Sequence, residues 1–203
     1  MRILETHTAP NPRRVRIFLA EKGIDVPFEE VDIMGGAART AAFTGLNPMQ
    51  RVPVLILDDG TAISETVAIC RYFEEIQPEP PLFGSGPVGR AVVEMWSRRV
   101  ELGLFGAVAA AFRHLNQKMS HLEVPQVAAW GEANKPKVLE CLAMLDAELA
   151  SRPFIAGAEY SIADITALVA VDFMRAARID RPPELANLAR WNQEVSARPS
   201  AKA

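Results

Sequence analysis

The sequence predicts an α/β domain followed by an all-helical domain. Short apolar runs alternate with a helical pattern near the start of the chain, residues 77–87 form its richest stretch of proline and glycine, and the apolar spacing beyond them is helical. A chain of 203 residues is long enough for two such domains. We therefore predict domains at residues 1–77 and 88–203, joined by a linker at residues 78–87.

The first domain begins with a strand, a helix and a strand. Residues 2–6 and 27–32 have the short apolar character of strands, and residues 13–22 between them have helical spacing. A unit of this kind pairs its strands in parallel and places the helix on one face. A further short helix is predicted at residues 37–46, before an Asn-Pro pair.

The first domain ends with a hairpin and a helix. Residues 52–57 and 62–63 flank an Asp-Asp-Gly-Thr turn, which favours two antiparallel strands. A helix is predicted at residues 65–76. The complete order, βαβ–α–ββα, is the thioredoxin-like arrangement.

The second domain is predicted to be an all-α helical bundle. Ser161 and Asp164 have the spacing of a capping box, with Asp in place of the usual Glu, and they precede an apolar run. We assign this motif to folding of the bundle. The predicted helices cover residues 88–115, 124–150, 161–177 and 183–195.

Composition and charge exclude several classes of function. Apolar residues make up 49% of the chain and the formal charge is −3, so a nucleic-acid partner is not expected. Cys70 and Cys141 have no second cysteine or histidine at metal spacing, which predicts buried reduced thiols and no metal site. The chain has no apolar signal segment and no apolar run long enough for a membrane span, so we expect a cytoplasmic location and no membrane partner.

Two short segments predict a binding site. Pro53 stands at the start of an apolar strand, where the backbone of Val52 can remain available to a ligand. Glu65 and Thr66 stand at the start of a helix, where free amides and the helix dipole favour an anion. Together they suit a peptide-like ligand that carries both an amine and a carboxylate. The alternatives are a trans proline that begins an edge strand and an ordinary helix cap.

The chain resembles a bacterial cytosolic glutathione transferase. The resemblance implies the glutathione transferase fold, glutathione as co-substrate and a homodimer. It extends over nearly the full length, and the segments that carry it are residues 10–17, residues 47–53, Glu65-Thr66, the proline-rich linker, residues 161–164 and residues 191–199.

The resemblance implies a role for each residue of the binding site. In this family the proline that corresponds to Pro53 follows a cis peptide bond, and the backbone of Val52 pairs with the cysteinyl backbone of glutathione. Glu65 corresponds to the residue that holds the ammonium group of the γ-glutamyl end, and Thr66 to the one that receives its α-carboxylate. The implied glutathione-binding residues are Gln50, Arg51, Val52, Pro53, Glu65 and Thr66, the first two directed at the glycyl carboxylate.

The resemblance also suggests which residues contact the glutathione sulfur. Asn11 corresponds to the asparagine of a Thr-Pro-Asn triplet in the nu-like bacterial transferases, the closest match. Here the triplet is Ala-Pro-Asn and Thr8 stands one place earlier, so either Asn11 or Thr8 is the principal donor, with Asn11 preferred. The alternative for Asn11 is an N-cap that bonds the amide of Arg14.

The first loop lacks the residues that other transferase types use. No tyrosine precedes Tyr72 and no serine precedes Ser64, which excludes the Tyr and Ser types there. No cysteine precedes Cys70, which argues against the Cys type. The second substrate is expected against the helical domain, where Leu102, Phe105 and Phe112 recur at helical spacing, although such a stripe also suits a core.

The predicted function is a detoxifying glutathione transferase. It would activate the bound thiol by hydrogen bonding and add it to a small electrophile, with no protein nucleophile. A glutathione-dependent disulfide reductase is the enzymatic alternative, and a non-catalytic binding or regulatory protein of the same fold is the other.

Overall fold

Four strands form one mixed sheet in the order β2-β1-β3-β4. The computed structural model describes residues 1–203, and the sheet belongs to a unit formed by Met1–Pro81 with Lys202–Ala203. β1 runs parallel to β2 and antiparallel to β3, and β3 pairs antiparallel with β4. The strands are β1 (Arg2–Glu5), β2 (Phe28–Glu30), β3 (Val54–Ile56) and β4 (Ala62–Ser64).

Three helices complete the first unit, and their order confirms the predicted thioredoxin-like arrangement. They are α1 (Pro10–Lys22), α2 (Ala41–Leu46) and α3 (Thr66–Ile76). α1 starts three residues before the predicted position, because Pro10 occupies its first position, where a missing N–H and a fixed φ cost nothing. The predicted helix at residues 37–46 is divided into a 3₁₀ turn and α2, since the Thr40 hydroxyl accepts the Phe43 amide and starts a new helix.

Lys22 fastens the end of the first unit. Its side chain is buried and donates to the carbonyl oxygens of Gln77 at 2.8 Å, Pro78 at 3.1 Å and Pro80, with Glu74 as its ion-pair partner. A buried ammonium needs several partners of this kind to compensate for lost water. The segment that follows α3 is thereby attached to α1.

The second unit, Leu82–Ala201, is all-helical, as predicted. It contains the last residues of the predicted linker, and its first helix already begins at Gly86. A short π-helical stretch, Val100–Phe105, joins the first two helices into one run that corresponds to the predicted helix at 88–115. The helices are α4 (Gly86–Arg99), α5 (Gly106–Leu115), α6 (Ala128–Leu149), α7 (Ile162–Phe173) and α8 (Ala186–Ser196).

α7 is the central helix of the second unit, with every residue from Ile162 to Ala170 buried. Ser161 and Asp164 form the predicted capping box at its start. Asp164 accepts hydrogen bonds from the backbone and hydroxyl of Ser161, both at 3.0 Å, from the Ile155 amide at 2.8 Å and from the Trp191 indole at 2.9 Å. Burial raises the pKa of Asp164 to about 6. No helix in either unit is both long and apolar enough to cross a bilayer.

Candidate functional site

The register of the sheet brings three chain segments to one end of the first unit. Leu4 of β1 pairs with Val54 of β3, and Val54 pairs with Ser64 of β4. Because both pairings are antiparallel, the residues after β1, before β3 and after β4 all leave the sheet at the same end. These segments contain the predicted residues of the first unit, at positions 8–11, 50–53 and 65–66.

The backbone of Val52 is free to bind a ligand. The peptide bond between Val52 and Pro53 is cis, as the resemblance implies. Neither the N–H nor the C=O of Val52 forms a hydrogen bond within the chain. The preceding loop is held by buried Asn47, which donates to the Arg51 carbonyl at 2.8 Å and accepts from the Met49 amide at 3.0 Å. The loop is therefore fixed while the Val52 groups remain unpaired.

Glu65 and Thr66 form the start of α3. Glu65 occupies the N-cap position at φ +70° and ψ 120°, a sparsely populated conformation that costs a non-glycine residue roughly 1–3 kcal/mol. Its exposed carboxylate neither caps the helix nor forms an ion pair, so ordinary capping by Glu65 is wrong. Thr66 is buried as the first helical residue, and its hydroxyl bonds no other residue. Backbone strain and an unpaired carboxylate at a helix N-terminus are characteristic of binding sites.

Gln50 and Arg51 lie exposed on the loop next to Val52. Gln50 is at φ +55°, and its amide nitrogen donates to the Thr44 hydroxyl at 3.1 Å. To donate to a ligand, the Gln50 amide has to break its hydrogen bond to Thr44.

Thr8 and Asn11 occupy the turn after β1 and the first turn of α1. Thr8 is exposed, and its hydroxyl bonds no other residue. The N-cap of α1 is Ala9, so the alternative of Asn11 as the cap is wrong, because the helix already begins at Pro10. The Asn11 side-chain oxygen accepts from Arg14 at 3.5 Å, and its amide N–H groups have no acceptor. Asn11 thus has donors to offer.

A buried ion pair that the sequence does not predict supports this turn. Arg16 pairs with Glu5 at the end of β1, and both side chains are buried. Arg16 also donates to the His7 carbonyl at 2.9 Å. The pair therefore fixes the backbone that leads to Thr8. Its only sequence signal was a charged residue at the end of a predicted strand.

The predicted apolar residues of the second unit do not share one surface. Phe105 and Phe112 both pack against Phe173, with ring centroids 6.3 and 4.9 Å apart. Leu102 is 71% exposed and lines a groove of about 1000 Å³ between the α4–α5 run and α6.

Neither cysteine lies in these segments. Cys70 and Cys141 are both free and buried, as predicted. Burial raises the pKa of the Cys70 thiol to about 12 and that of Cys141 to about 11. No group of three or more His, Cys, Asp or Glu side chains is arranged to hold a metal ion.

Comparison with known proteins identifies the family. The model of the glutathione S-transferase N-terminal domain matches residues 8–76, and that of the C-terminal domain matches residues 105–199. Glutathione S-transferase 2 of Saccharomyces cerevisiae is 35% identical over 205 residues, covering 100% of this chain and 88% of its own length. The chain belongs to the glutathione S-transferase family. Members of this family use glutathione as co-substrate.

Solved structures of glutathione S-transferases agree with this assignment. A glutathione S-transferase domain-containing protein from Marinobacter aquaeolei VT8 is 43% identical, with a TM-score of 0.96 over 98% of this chain and 99% of that chain. Gtt2 from Saccharomyces cerevisiae is 35% identical, with a TM-score of 0.95 over 100% of this chain and 99% of that chain. The predicted glutathione transferase fold is confirmed.

Proposed function

We propose that this transferase conjugates reduced glutathione to a small electrophile. The observation that carries the proposal is the convergence of unpartnered groups at one end of the sheet: the Val52 backbone, the Glu65 carboxylate, the Thr66 hydroxyl and the side-chain N–H groups of Asn11. Within the chain these donors and acceptors have no partners, and together they match an extended tripeptide with a zwitterionic end.

Each group has a specific part in binding. The N–H and C=O of Val52 form hydrogen bonds with the cysteinyl backbone of glutathione, as a neighbouring strand would. Glu65 pairs with the γ-glutamyl ammonium, and the hydroxyl and N–H of Thr66 receive the α-carboxylate at the start of α3. Gln50 and Arg51 bind the glycyl carboxylate.

The chemistry depends on ionising the thiol. A free thiol has a pKa of about 8.5, and lowering it to about 6.5 requires roughly 2.7 kcal/mol of preferential thiolate stabilisation. Asn11 supplies a donor from the first turn of α1, whose N-terminal dipole adds to it, and Thr8 is the second donor. The thiolate sulfur then forms a bond to the electrophilic carbon, and the leaving group departs with its electron pair.

The two units divide the substrates between them. We assign glutathione to the thioredoxin-like unit and the electrophile to apolar side chains of the helical unit, with Phe105 and Phe112, which pack on Phe173, as the candidates. Leu102 lies on a different surface, in the groove beside α6, and is not part of this assignment. Activity with an aryl halide measures conjugation, and activity with a small mixed disulfide measures the reductase alternative. We assign the activity to detoxification in the cytoplasm, a reducing compartment in which thiols such as Cys70 and Cys141 stay free.

Calorimetric titration with reduced glutathione tests the proposal. Replacing Glu65 by Ala removes a charge-assisted pair, so we expect binding to weaken by about 2 kcal/mol, roughly 30-fold in Kd. Glu75→Ala is the matched control, because Glu75 is exposed near the other end of α3. Equal affinities of the wild-type protein and the Glu65 variant would contradict the binding site.

We also propose that the protein forms a homodimer through the groove beside α6. Leu102 and Trp130, on opposite walls, are 71% and 50% exposed, so the groove presents large apolar side chains together on the surface, as an interface between copies does. The α4 wall carries Arg99 and the α6 wall carries Glu140, and neither has an ion-pair partner within the chain. In a dimer with two-fold symmetry, the α4 wall of one copy faces the α6 wall of the other. Arg99 of each copy then lies opposite Glu140 of its partner copy, so the charges are complementary.

A further inference from the structure

A second, smaller cavity lies in the helical unit, where α7 ends and the chain turns towards α8. Its volume is about 350 Å³, which is within the size range of small-molecule sites. The lining combines apolar side chains with three arginines, one aspartate and one asparagine. None of these residues takes part in the proposed glutathione site.

The three arginines of this cavity have no carboxylate partner. Arg175, Arg178 and Arg181 are exposed, and none of them lies within ion-pairing distance of an acidic side chain. Some other arginines of the same unit are paired, since Arg113 lies 3.2 Å from Glu123 and Arg152 lies 2.9 Å from Glu148, whereas Arg99 is unpaired but stands alone in this respect on its wall of the groove. Three unpaired guanidinium groups therefore surround this cavity, although the chain as a whole has a net negative charge.

Asn192 positions one of the three arginines at the cavity wall. Its side-chain oxygen accepts from Arg181 at 3.4 Å, which orients the amide at the cavity wall. Its nitrogen is buried without an acceptor. Because this nitrogen has almost no accessible surface, Asn192 contributes to the site by holding Arg181 and not by donating to a ligand itself.

Arg178 is held in a conformation that glycine would adopt more easily. Its φ is +56°, and the Ile179 amide donates to the Met174 carbonyl at 3.0 Å, which closes the end of the helical segment. Helix ends of this type usually place glycine at the left-handed position. An arginine at this position makes the fold less stable than a glycine would, but it places a guanidinium group at the mouth of the cavity.

We infer that this cavity binds the dianionic phosphate group of a small phosphate monoester. The three guanidinium groups exceed the single carboxylate, Asp180, by two positive charges, which matches a phosphate dianion. Guanidinium groups are the preferred bidentate partners of phosphate oxygens. The apolar wall formed by Val171, Met174 and Ile179 accommodates a small organic group attached to the phosphate.

Calorimetric titration with phenyl phosphate tests this site, with inorganic phosphate and benzoate as comparison ligands. We expect one phenyl phosphate to bind per chain, more tightly than inorganic phosphate and at least tenfold more tightly than benzoate. The affinity should be the same with and without saturating glutathione, because the residues are distinct from the glutathione site. Failure of glutathione to bind would leave this result unaffected, so the two proposals fail separately.

Arg178→Gly separates binding from folding. Glycine relieves the left-handed backbone, so the variant should have an equal or higher melting temperature, while its affinity for phenyl phosphate falls at least tenfold. Arg175→Ala should show a similar loss of affinity. Arg90→Ala is the control, because Arg90 is an exposed arginine of α4 outside the cavity. Equal affinities in all variants, or binding that does not saturate at one site, would overturn the inference.

Discussion

At the scale of single residues, the proposed catalytic step depends on which donor contacts the sulfur. Asn11→Ala removes an amide donor from the first turn of α1, so we expect the pKa of bound glutathione to rise by about one unit or more. The ultraviolet absorbance of the thiolate, titrated against pH, measures this change.

Thr8→Val is the matched comparison for Asn11, because it removes the second donor at an exposed turn position. We expect a smaller shift than for Asn11→Ala. A larger shift for the Thr8 variant would make Thr8 the principal donor. An unchanged titration with a lowered melting temperature would reduce Asn11 to a structural residue.

The buried pair of Glu5 and Arg16 gives a second prediction at this scale. Arg16→Met leaves a buried carboxylate without its partner, so we expect the free energy of unfolding to fall by about 3 kcal/mol. Arg2→Met is the control, since Arg2 pairs with exposed Glu29 at 3.1 Å and such pairs contribute less than about 1 kcal/mol. Urea denaturation measures both variants, and equal losses would contradict the structural role of the buried pair.

Single residues differ in how well the sequence predicts them. Glu65 and Thr66 could be placed at a helix start because hydroxyl and acidic residues there have a local physical reason. The predicted start of α1 is three residues too late, because Pro10 and Pro12 both suit a first helical turn and only the folded backbone selects between them. The bond between Gln50 and Thr44 depends on a loop conformation that no local pattern specifies.

At the scale of helices and strands, Asp164 at the start of α7 makes the free energy of unfolding depend on pH. Burial raises its pKa from 3.8 to about 6, so the folded protein binds a proton that the unfolded chain has already released. The stabilising contribution of this group is therefore complete below about pH 4 and is lost as the pH rises through 6. The shift corresponds to roughly 3 kcal/mol.

Asp164→Asn isolates this contribution, because the amide does not titrate. The difference in unfolding free energy, wild type minus variant, should decrease as the pH rises from 4.5 to 7, by an amount on the order of 2 kcal/mol. Urea denaturation across this range measures the difference. A difference that stays constant with pH would mean that Asp164 does not titrate there.

Elements were predictable where one periodicity dominated. Most helices and strands follow apolar patterns that local physics imposes, and Ser161 with Asp164 marks the start of α7. β2 is an exception, because its three residues, Phe28–Glu30, are all exposed and it is held by parallel pairing with β1. The π-helical stretch Val100–Phe105 was not predicted, because its apolar positions also fit an α-helix and the difference lies in a hydrogen-bond shift set by packing.

For the whole molecule, the order of motifs carried more information than any one of them. A proline before a strand and a hydroxyl at a helix start are common in unrelated proteins. Their succession over the chain implied the family that the comparisons then established. The groove walls and the phosphate cavity were not predictable, because Arg99 with Glu140, and Arg175 with Asn192, come together only through tertiary packing.

The proposed homodimer gives the prediction that belongs to this scale. If α4 of one copy faces α6 of the other, Arg99→Glu places two like charges together and should weaken the dimer, as should Glu140→Arg. The double variant Arg99→Glu/Glu140→Arg restores opposite charges across the two-fold axis and should recover much of the dimer affinity. Light scattering during gel filtration, at a series of concentrations, measures the monomer fraction.

Val88→Glu is the control, since Val88 is 75% exposed on α4 but outside the groove. Single variants that stay fully dimeric, or a double variant no better than either single one, would show that another surface holds the copies together.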